Sequence, residues 1–253
     1  MLPVPPSSAE VAPPRSSDLL KLVYRPQLPA VGPDYESRLV SRARIRSLRS
    51  AAAQRLFDVV LSSVLLVALA PVMATVAVVV AFTSRGPVLF RQPRVGLRGR
   101  LFPCLKFRTM VVDAESRLAT TLLVDETKLA AFASSFKLAD DPRVTIVGRL
   151  LRRFSLDELP QLVNVLRGDM SIVGPRPLVP QELWRYGDFA QVVLQAKPGM
   201  TGPWQVNGRS LMPYEERVRV DVDYALHRTL RGDIEIIGKT FACVLAPERC
   251  TAV

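Results

Sequence analysis

Apolar residues are concentrated in one long run near the N-terminus of the chain. From Phe57 to Phe82 the only charged residue is Asp58, within a run of 26 residues. A helix of that length would measure about 39 Å at 1.5 Å per residue, which exceeds a hydrocarbon core of about 30 Å. The pattern therefore predicts a membrane helix over residues 51–84. A full membrane span and a buried core helix are the alternatives.

Basic residues flank the apolar run on both sides. Residues 38–55 contain six arginines and no acid, and residues 85–108 are likewise basic without an acid. Positive residues favour the cytoplasmic side of a membrane, so both ends of the run favour the same side. Pro71, near the middle, removes a helical hydrogen bond and favours a bend. These features predict a re-entrant helix hairpin that enters and leaves by one membrane face.

The remaining polar and apolar patterns predict an α+β fold that is mostly α. Residues 87–110 contain a Gly-Leu-Arg-Gly turn between β-prone stretches, which predicts a β-hairpin whose basic side chains face anionic lipid headgroups. Helical patterns follow, some of them amphipathic and suited either to the membrane interface or to core packing. They cover about 113–136, 148–167, 180–196 and 233–245.

The predicted organisation has three parts. Residues 1–50, rich in proline and serine and then in arginine, predict a disordered cytoplasmic extension without a secretory signal. Residues 51–84 form the re-entrant helix, and residues 85–253 form a compact, membrane-associated catalytic domain on the cytoplasmic face.

Composition indicates anionic partners. The 253 residues carry a formal charge of +11 and a pI near 10.2, which suits nucleic acid, an acidic membrane surface or phosphorylated substrates. Only 7% of residues are aromatic and no nucleic-acid motif occurs, so a nucleic-acid partner is not expected. Three cysteines without a CxxC pair argue against a disulfide framework and a zinc site, and favour a reducing cytosolic face. The single histidine, His227, fits an ordinary surface or packing role.

Candidate chemistry is concentrated in residues 152–177, which read RRFSLDELPQLVNVLRGDMSIVGPRP. The candidate acidic residues in this stretch are Asp157 and Glu158. One interpretation is a capping box, in which Ser155 caps a helix and Glu158 bonds back to it. The other places a helix start at Pro160, with both acids just before its positive end. The local pattern alone does not choose between capping and catalysis.

Surrounding cations favour a phosphate site. A carboxylate that approaches a pyrophosphate is repelled by about 4 kcal/mol per charge pair at 4 Å and an effective dielectric near 20, so it needs dense positive charge nearby. Two prolines restrict the backbone around Arg176, which presents its planar guanidinium at reduced entropic cost. The basic residues of this and other polar motifs are Lys106, Arg108, Arg152, Arg153, Arg167, Arg176, Lys197 and Arg209.

Three separated blocks resemble the signatures of the bacterial sugar transferase family, the monotopic phosphoglycosyl transferases. The blocks are KFRTM at 106–110, SLDELPQLVNVLRGDMSIVGPRPL at 155–178 and KPGMTGPWQVNGR at 197–209. The resemblance covers about residues 54–245. It implies transfer of a sugar 1-phosphate from a UDP-sugar to polyprenyl phosphate, with UMP as a product. It further implies Mg²⁺ dependence and a catalytic domain on the cytoplasmic face of the bacterial inner membrane, in contact with anionic lipids.

The resemblance also assigns roles to residues. The family's nucleophile corresponds to Asp157, which would form an aspartyl-phosphosugar intermediate, and its magnesium-binding glutamate corresponds to Glu158. Asp169 matches a family position and is expected to bond backbone amides. The family's phosphate and nucleotide contacts correspond to Lys106, Arg152, Gln161, Arg176 and Arg209.

The sequence leaves several points open. The family's membrane helix commonly bends at Ser-Pro, whereas this chain has Ala70-Pro71, so the re-entrant topology is a hypothesis. A glycosyltransferase that releases UDP and a basic membrane adaptor without turnover are the alternative functions. The sugar, the glycan pathway (exopolysaccharide, capsule, O-antigen or glycoprotein) and the oligomeric state, including a homodimer, stay open.

Overall fold

The computed structural model describes residues 48–135, 138, 140–207 and 212–245 of the chain. In these ranges the protein is mostly helical with little strand, as predicted. The helices are α1 Leu48–Ala68, α2 Ala70–Thr83, α3 Ala114–Val124, α4 Glu126–Ser135, α5 Ile146–Arg153, α6 Gln161–Arg167, α7 Phe189–Val193, α8 Pro203–Val206, α9 Tyr214–His227 and α10 Leu230–Leu245. The strands are β1 Leu89–Val95, β2 Leu101–Phe107, β3 Ser171–Val173 and β4 Gly199–Thr201, and 3-10 turns cover Leu97–Gly99, Leu156–Glu158 and Pro180–Tyr186.

Helices α1 and α2 form one apolar segment, Ala51–Thr83, that is long and apolar enough to cross a membrane. The two helices are separated at Leu69, whose φ of −94° and ψ of 2° leave the α-helical region. Pro71 follows two residues later and has no amide hydrogen to continue the ladder. The interruption expected at Ala70-Pro71 is therefore present in the helix.

Both ends of this segment are hydrogen-bonded to the same compact unit, which contains the described residues 48–112 and 144–245. Near the start, the Asp58 carboxylate accepts from the Ser171 hydroxyl at 2.9 Å and from the Ile172 amide at 3.0 Å. At the end, the Arg108 guanidinium donates to the Ser84 carbonyl at 2.6 Å and to its hydroxyl at 2.9 Å. The one charge inside the apolar run thus has a specific partner in strand β3.

Only one side of the apolar segment is covered by protein. Leu61 and Leu65 pack on the cluster around Leu162 and Val165 of α6, while Val80 of α2 packs with residues of β2 and α5. The opposite side of α1 exposes an apolar stripe with helical spacing, formed by Leu56, Val60, Val64 and Val67.

Strands β1 and β2 form the predicted antiparallel hairpin, paired from Leu89↔Phe107 to Val95↔Leu101. The hairpin's basic side chains do not all face outward as expected. Arg94 is 7% exposed and donates to the Pro177 carbonyl at 2.8 Å, and Arg108 is equally buried. The expectation of headgroup contact is wrong for these two residues, because backbone carbonyls inside the fold satisfy their guanidinium groups.

Strands β3 and β4 form a short parallel pair that brings two separated motifs together. The Gly174 amide donates to the Thr201 carbonyl at 2.9 Å, and the Gly199 amide donates to the Pro175 carbonyl at 2.8 Å. A Cβ at Gly174 would lie 2.4 Å from the Lys197 carbonyl oxygen. Glycine is therefore required there, because the two backbones approach too closely for a side chain.

The smaller unit contains the described residues between 113 and 143. The single helix predicted over 113–136 is two helices, α3 and α4, which are separated at Asp125. The Asp125 carboxylate accepts from the amides of Thr127 and Lys128, each at 3.1 Å, and so caps α4. The core of this smaller unit is formed by Leu118, Leu122 and Phe132.

Three other predicted helices also differ from the structure. Residues 148–167 lie in two helices, α5 and α6, which are separated by residues 154–160, where Ser155 has a φ of +56°. Residues 180–196 form a 3-10 turn followed by α7. The last helix begins at Leu230, before the predicted start at residue 233. Helix α9 was not predicted. Its exposed His227 pairs with Asp223 at 2.9 Å, in keeping with a surface role.

The cysteines differ partly from expectation. Cys104 is a buried free thiol, whereas Cys243 is disulfide-bonded. The sequence argued against a disulfide framework, and it did not indicate the bond at Cys243. Residues 1–47 of the predicted extension lie outside the described residues.

Candidate active site

The two acids of the central motif lie on a 3-10 turn, Leu156–Glu158, directly before helix α6. Ser155 precedes the turn in the left-handed region, with φ 56° and ψ 22°, and its side chain makes no capping hydrogen bond. The capping-box interpretation is therefore wrong. A left-handed non-glycine residue costs about 1–2 kcal/mol, so the surrounding packing must hold this turn in place.

Helix α6 also fixes the strand that carries Lys106. The Asn164 side chain, which is fully buried, accepts from the Leu105 amide at 3.0 Å and donates to the Pro103 carbonyl at 2.9 Å. These two bonds hold β2 beside α6, and Lys106 is the next residue along the strand. The Asn164 Nδ2 donates to the Asp169 carboxylate at 3.3 Å, which gives Asp169 a structural role.

Lys106 and Glu158 form the closest ion pair of the site. The Lys106 Nζ lies 2.6 Å from the Glu158 Oε1, and the Glu158 side chain is 36% exposed. Burial would raise the pKa of Glu158, but Lys106 and then Arg176 and Arg94 outweigh it, so the pKa lies below its usual value. Glu158 is therefore held ionised and still open to solvent.

Asp157 is in a different environment, since it is only 7% exposed. Burial raises the pKa of Asp157, and the neighbouring Glu158 carboxylate raises it further, while Lys106 and Arg152 lower it. The ionised form is thus poorly hydrated and depends on nearby cations. A buried carboxylate under these conditions is a reactive anion and suits nucleophilic attack on a phosphorus centre.

Helix α5 brings Arg152 to these acids. The Arg152 Nε donates to the Thr109 hydroxyl at 3.0 Å, and the Thr145 hydroxyl caps the helix by accepting from the Gly148 amide at 2.9 Å. A Cβ at Gly148 would lie 2.1 Å from the Thr109 carbonyl oxygen. Glycine therefore allows α5 to pack closely against the segment that follows Lys106.

The predicted site residues are placed as follows. Lys106 and Arg152 act on Asp157, Lys106 also pairs with Glu158, and Arg176 acts on Glu158 from the loop after β3. Gln161 is the first residue of α6 and is 2% exposed. Arg209 lies outside the described residues.

Sequence reasoning missed Arg94 and Asn164 as parts of this site. The single signal for Asn164 was its place in the same motif, six residues after Glu158. Arg94 gave no signal in sequence, because it becomes part of the site through its bonds to Gln92 and Pro177.

The described residues do not form a metal site without further ligands. Across the part of the chain that the structure describes, no group of three His, Cys, Asp or Glu side chains could hold an ion. Magnesium in phosphoryl-transfer sites is commonly bound by one or two carboxylates, with substrate phosphates and water as the other ligands. Glu158, whose side chain is 36% exposed, fits that shared arrangement.

Comparison with known proteins identifies the family. The model described as "Bacterial sugar transferase" matches residues 49–247. The chain belongs to the bacterial sugar transferase family. The match confirms the resemblance seen in the three motif blocks, all of which lie inside the matched residues.

Similar proteins of this family include an undecaprenyl-phosphate galactose phosphotransferase of Salmonella typhimurium, 48% identical over 192 residues that cover 76% of this chain and 40% of that protein. The exopolysaccharide production protein ExoY of Sinorhizobium fredii is 42% identical over 192 residues, which cover 76% of this chain and 85% of ExoY. An undecaprenyl-phosphate glucose phosphotransferase of Komagataeibacter xylinus is 42% identical over 202 residues, covering 74% of this chain and 35% of that relative. This sugar transferase thus spans less than half the length of two of these relatives and most of the third.

Proposed function

We propose that this protein transfers a sugar 1-phosphate from a UDP-sugar to polyprenyl phosphate, with release of UMP, and so starts the assembly of an exopolysaccharide or related bacterial glycan. The observation that carries the proposal is the buried Asp157 carboxylate, which lies among Lys106, Arg152 and the ionised Glu158. The names of the similar proteins, which include undecaprenyl-phosphate galactose and glucose phosphotransferases, support the same donor and acceptor classes.

The proposed reaction proceeds in two displacements at one phosphorus atom. A carboxylate oxygen of Asp157 attacks the sugar-bearing phosphorus, the new O–P bond forms, and the bond to the UMP oxygen breaks with its electron pair leaving on UMP. An oxygen of polyprenyl phosphate then attacks the same phosphorus and releases Asp157 as a carboxylate. No proton has to move at Asp157, because it attacks and leaves as a carboxylate.

The cations offset the charge that collects during attack. Lys106 and Arg152 favour the ionised form of Asp157, and they face the phosphoryl oxygens once the donor is bound. Magnesium, when bound with Glu158 as a ligand, would supply further positive charge at those oxygens. Gln161, Arg176 and Arg209 are proposed as further donor contacts.

The membrane arrangement belongs to the same proposal. Asp58 bonds strand β3 and Ser84 binds Arg108, so both ends of the apolar segment are fixed to one catalytic unit. A straight span would separate its ends across the bilayer, so this double attachment supports a re-entrant helix on the cytoplasmic face of the inner membrane. Helix α5 exposes Ile146 and Leu150 on one side, which supports contact with the lipid interface.

A product assay tests the function. With purified protein in lipid, Mg²⁺, polyprenyl phosphate and a panel of UDP-sugars, UMP is the expected nucleotide. Release of UDP would instead indicate a glycosyltransferase, and the absence of either product would indicate an adaptor.

A variant pair tests the nucleophile. Asp157→Asn is expected to lose activity by more than about 10³-fold, because a neutral amide cannot form the covalent intermediate. Asp188→Asn, a surface change in the same unit, is the matched control and is expected to remain active. Undiminished turnover by the Asp157 variant would remove that residue from the mechanism.

Reporters fused to the two termini test the topology. Both are expected on the cytoplasmic side, and reporters on opposite sides would establish a full span.

A further inference from the structure

Two guanidinium groups lie against the indole ring of Trp204. The Cζ of Arg176 lies 5.7 Å from the ring centroid and that of Arg217 lies 5.0 Å from it. The two cations are therefore no more than about 11 Å apart and share one aromatic partner. Trp204 is 4% exposed, so its ring is a fixed element of the protein interior.

The backbone holds these groups in place. Arg176 follows β3 and Trp204 follows β4, and the two strands are paired. A Cβ at Gly202 would lie 2.2 Å from the Gly174 carbonyl oxygen, so the two loops are in direct backbone contact. Arg217 comes from helix α9, where its Nε donates to the Met212 carbonyl at 2.8 Å. The separation of the two guanidinium groups is thus set by the fold.

Two buried carboxylates, those of Asp221 and Glu182, act on this pair. Asp221, one helical turn after Arg217, is fully buried, and its carboxylate accepts from the Tyr186 hydroxyl at 2.8 Å. Burial raises the pKa of Asp221 to about 7, so its carboxyl group is partly protonated near neutral pH. Burial lowers the pKa of Arg217 and the charge of Arg176 lowers it further, as expected where two like charges are held together.

Arg176 connects this pair to the reacting centre. It is one of the donor contacts proposed above, and it lies in the loop directly after β3. In the proposed reaction the sugar-bearing phosphorus lies at Asp157, so the second phosphate of the donor extends away from that carboxylate. We infer that Arg217, together with Arg176, binds the nucleotide-side phosphate of the UDP-sugar, which is the group that leaves with UMP. The inference rests on the proposed function and adds a residue to its donor site.

Direct binding of UMP tests the inference without turnover. Arg217→Gln is expected to weaken UMP binding, measured by isothermal titration calorimetry, by at least about 10-fold, because a charge-assisted contact to phosphate is lost. Arg219→Gln is the matched control, since Arg219 lies on the same helix with an exposed side chain, and its affinity is expected to equal that of the wild type. Arg217→Lys, which keeps the charge but not the bidentate fork, is expected to bind UMP with intermediate affinity.

Steady-state constants give a second readout that a purely structural role would not move. The KM for the UDP-sugar is expected to rise at least about 10-fold in Arg217→Gln, while the KM for polyprenyl phosphate stays unchanged. If Arg217→Gln does not fold, Arg217→Lys carries the test. If the Arg217 variant that folds binds UMP as tightly as Arg219→Gln does, the inference is overturned, even if the wild type releases UMP. Failure of the wild type to release UMP from any UDP-sugar would instead count against the proposed function.

Discussion

The buried carboxylate of Asp221 makes a sharp prediction about stability and pH. It is fully buried, and its pKa rises from 3.8 to about 7 because burial penalises the charged form. Each pKa unit corresponds to 1.36 kcal/mol, so the ionised carboxylate costs the folded state about 4 kcal/mol. The unfolded chain releases this proton near pH 4 and the folded chain near pH 7. Between these values the folded state holds more protons, so its stability falls as pH rises.

The change Asp221→Asn removes this dependence, because the amide cannot ionise and its carbonyl oxygen can still accept from Tyr186. Between pH 5 and pH 8 the free energy of unfolding of the variant, relative to the wild type, should rise by about 3 kcal/mol. Thermal unfolding in detergent micelles would show this as a relative gain in Tm of roughly 5–10 °C. Glu216→Gln, an exposed change on the same helix, should show no such trend. A difference for Asp221→Asn that stays constant with pH would refute the assignment of a raised pKa.

Three further changes test the framework of the site. Asn164→Ala should lower the free energy of unfolding by about 2–3 kcal/mol in urea titrations, because it leaves the Leu105 amide and the Pro103 carbonyl without their buried partner. Asn207→Ala is the control, and equal free energies of unfolding for the two variants would contradict this role. Gly174→Ala should prevent folding or lower the free energy of unfolding by more than about 2 kcal/mol. A Cβ at Gly238 would have no atom within 4 Å, so Gly238→Ala should raise the free energy of unfolding by about 0.5–1 kcal/mol. Thermal unfolding compares the two variants. Lys106→Met should move the acid limb of the pH–rate profile to higher pH, since Lys106 lowers the pKa of both Asp157 and Glu158. Lys239→Met is the control, and a Lys106→Met profile equal to that of the control would argue against this influence of Lys106.

The sequence could predict those parts of the site that lie within one short motif. Asp157 and Glu158 are adjacent in the chain, and their relation to the start of helix α6 follows from Pro160 and the polar pattern around it. The hairpin was similarly local, since its turn residues Gly96 and Gly99 lie between the two strands that pair. Contacts of this kind depend on neighbours along the chain, so their residue types carry the signal.

The parts that sequence could not predict depend on partners far along the chain. Strands β3 and β4 have three residues each, too few for a period of two to be recognised. Asp221 lies in the polar stretch ERVRVDVDY, and its burial depends on Tyr186, 35 residues earlier. Composition alone places such a carboxylate on a solvated surface.

The strongly basic composition is explained by structure as well as by ligands. Three arginines direct their guanidinium groups to backbone carbonyls: Arg55 to Val165 and Leu166, Arg94 to Pro177, and Arg108 to Ser84. Neutral acceptors satisfy these donors, and Arg94 also forms an ion pair with Glu182 at 4.0 Å. Arg55 and Arg108 therefore join two segments and still contribute to a positive field. Acidic partners in the same places would have joined the segments equally well and removed that field. Under the proposed function, a site that gathers donor phosphates beside two carboxylates gains from arginines bonded to carbonyls, and net charge alone overstates how many of the cations touch a ligand.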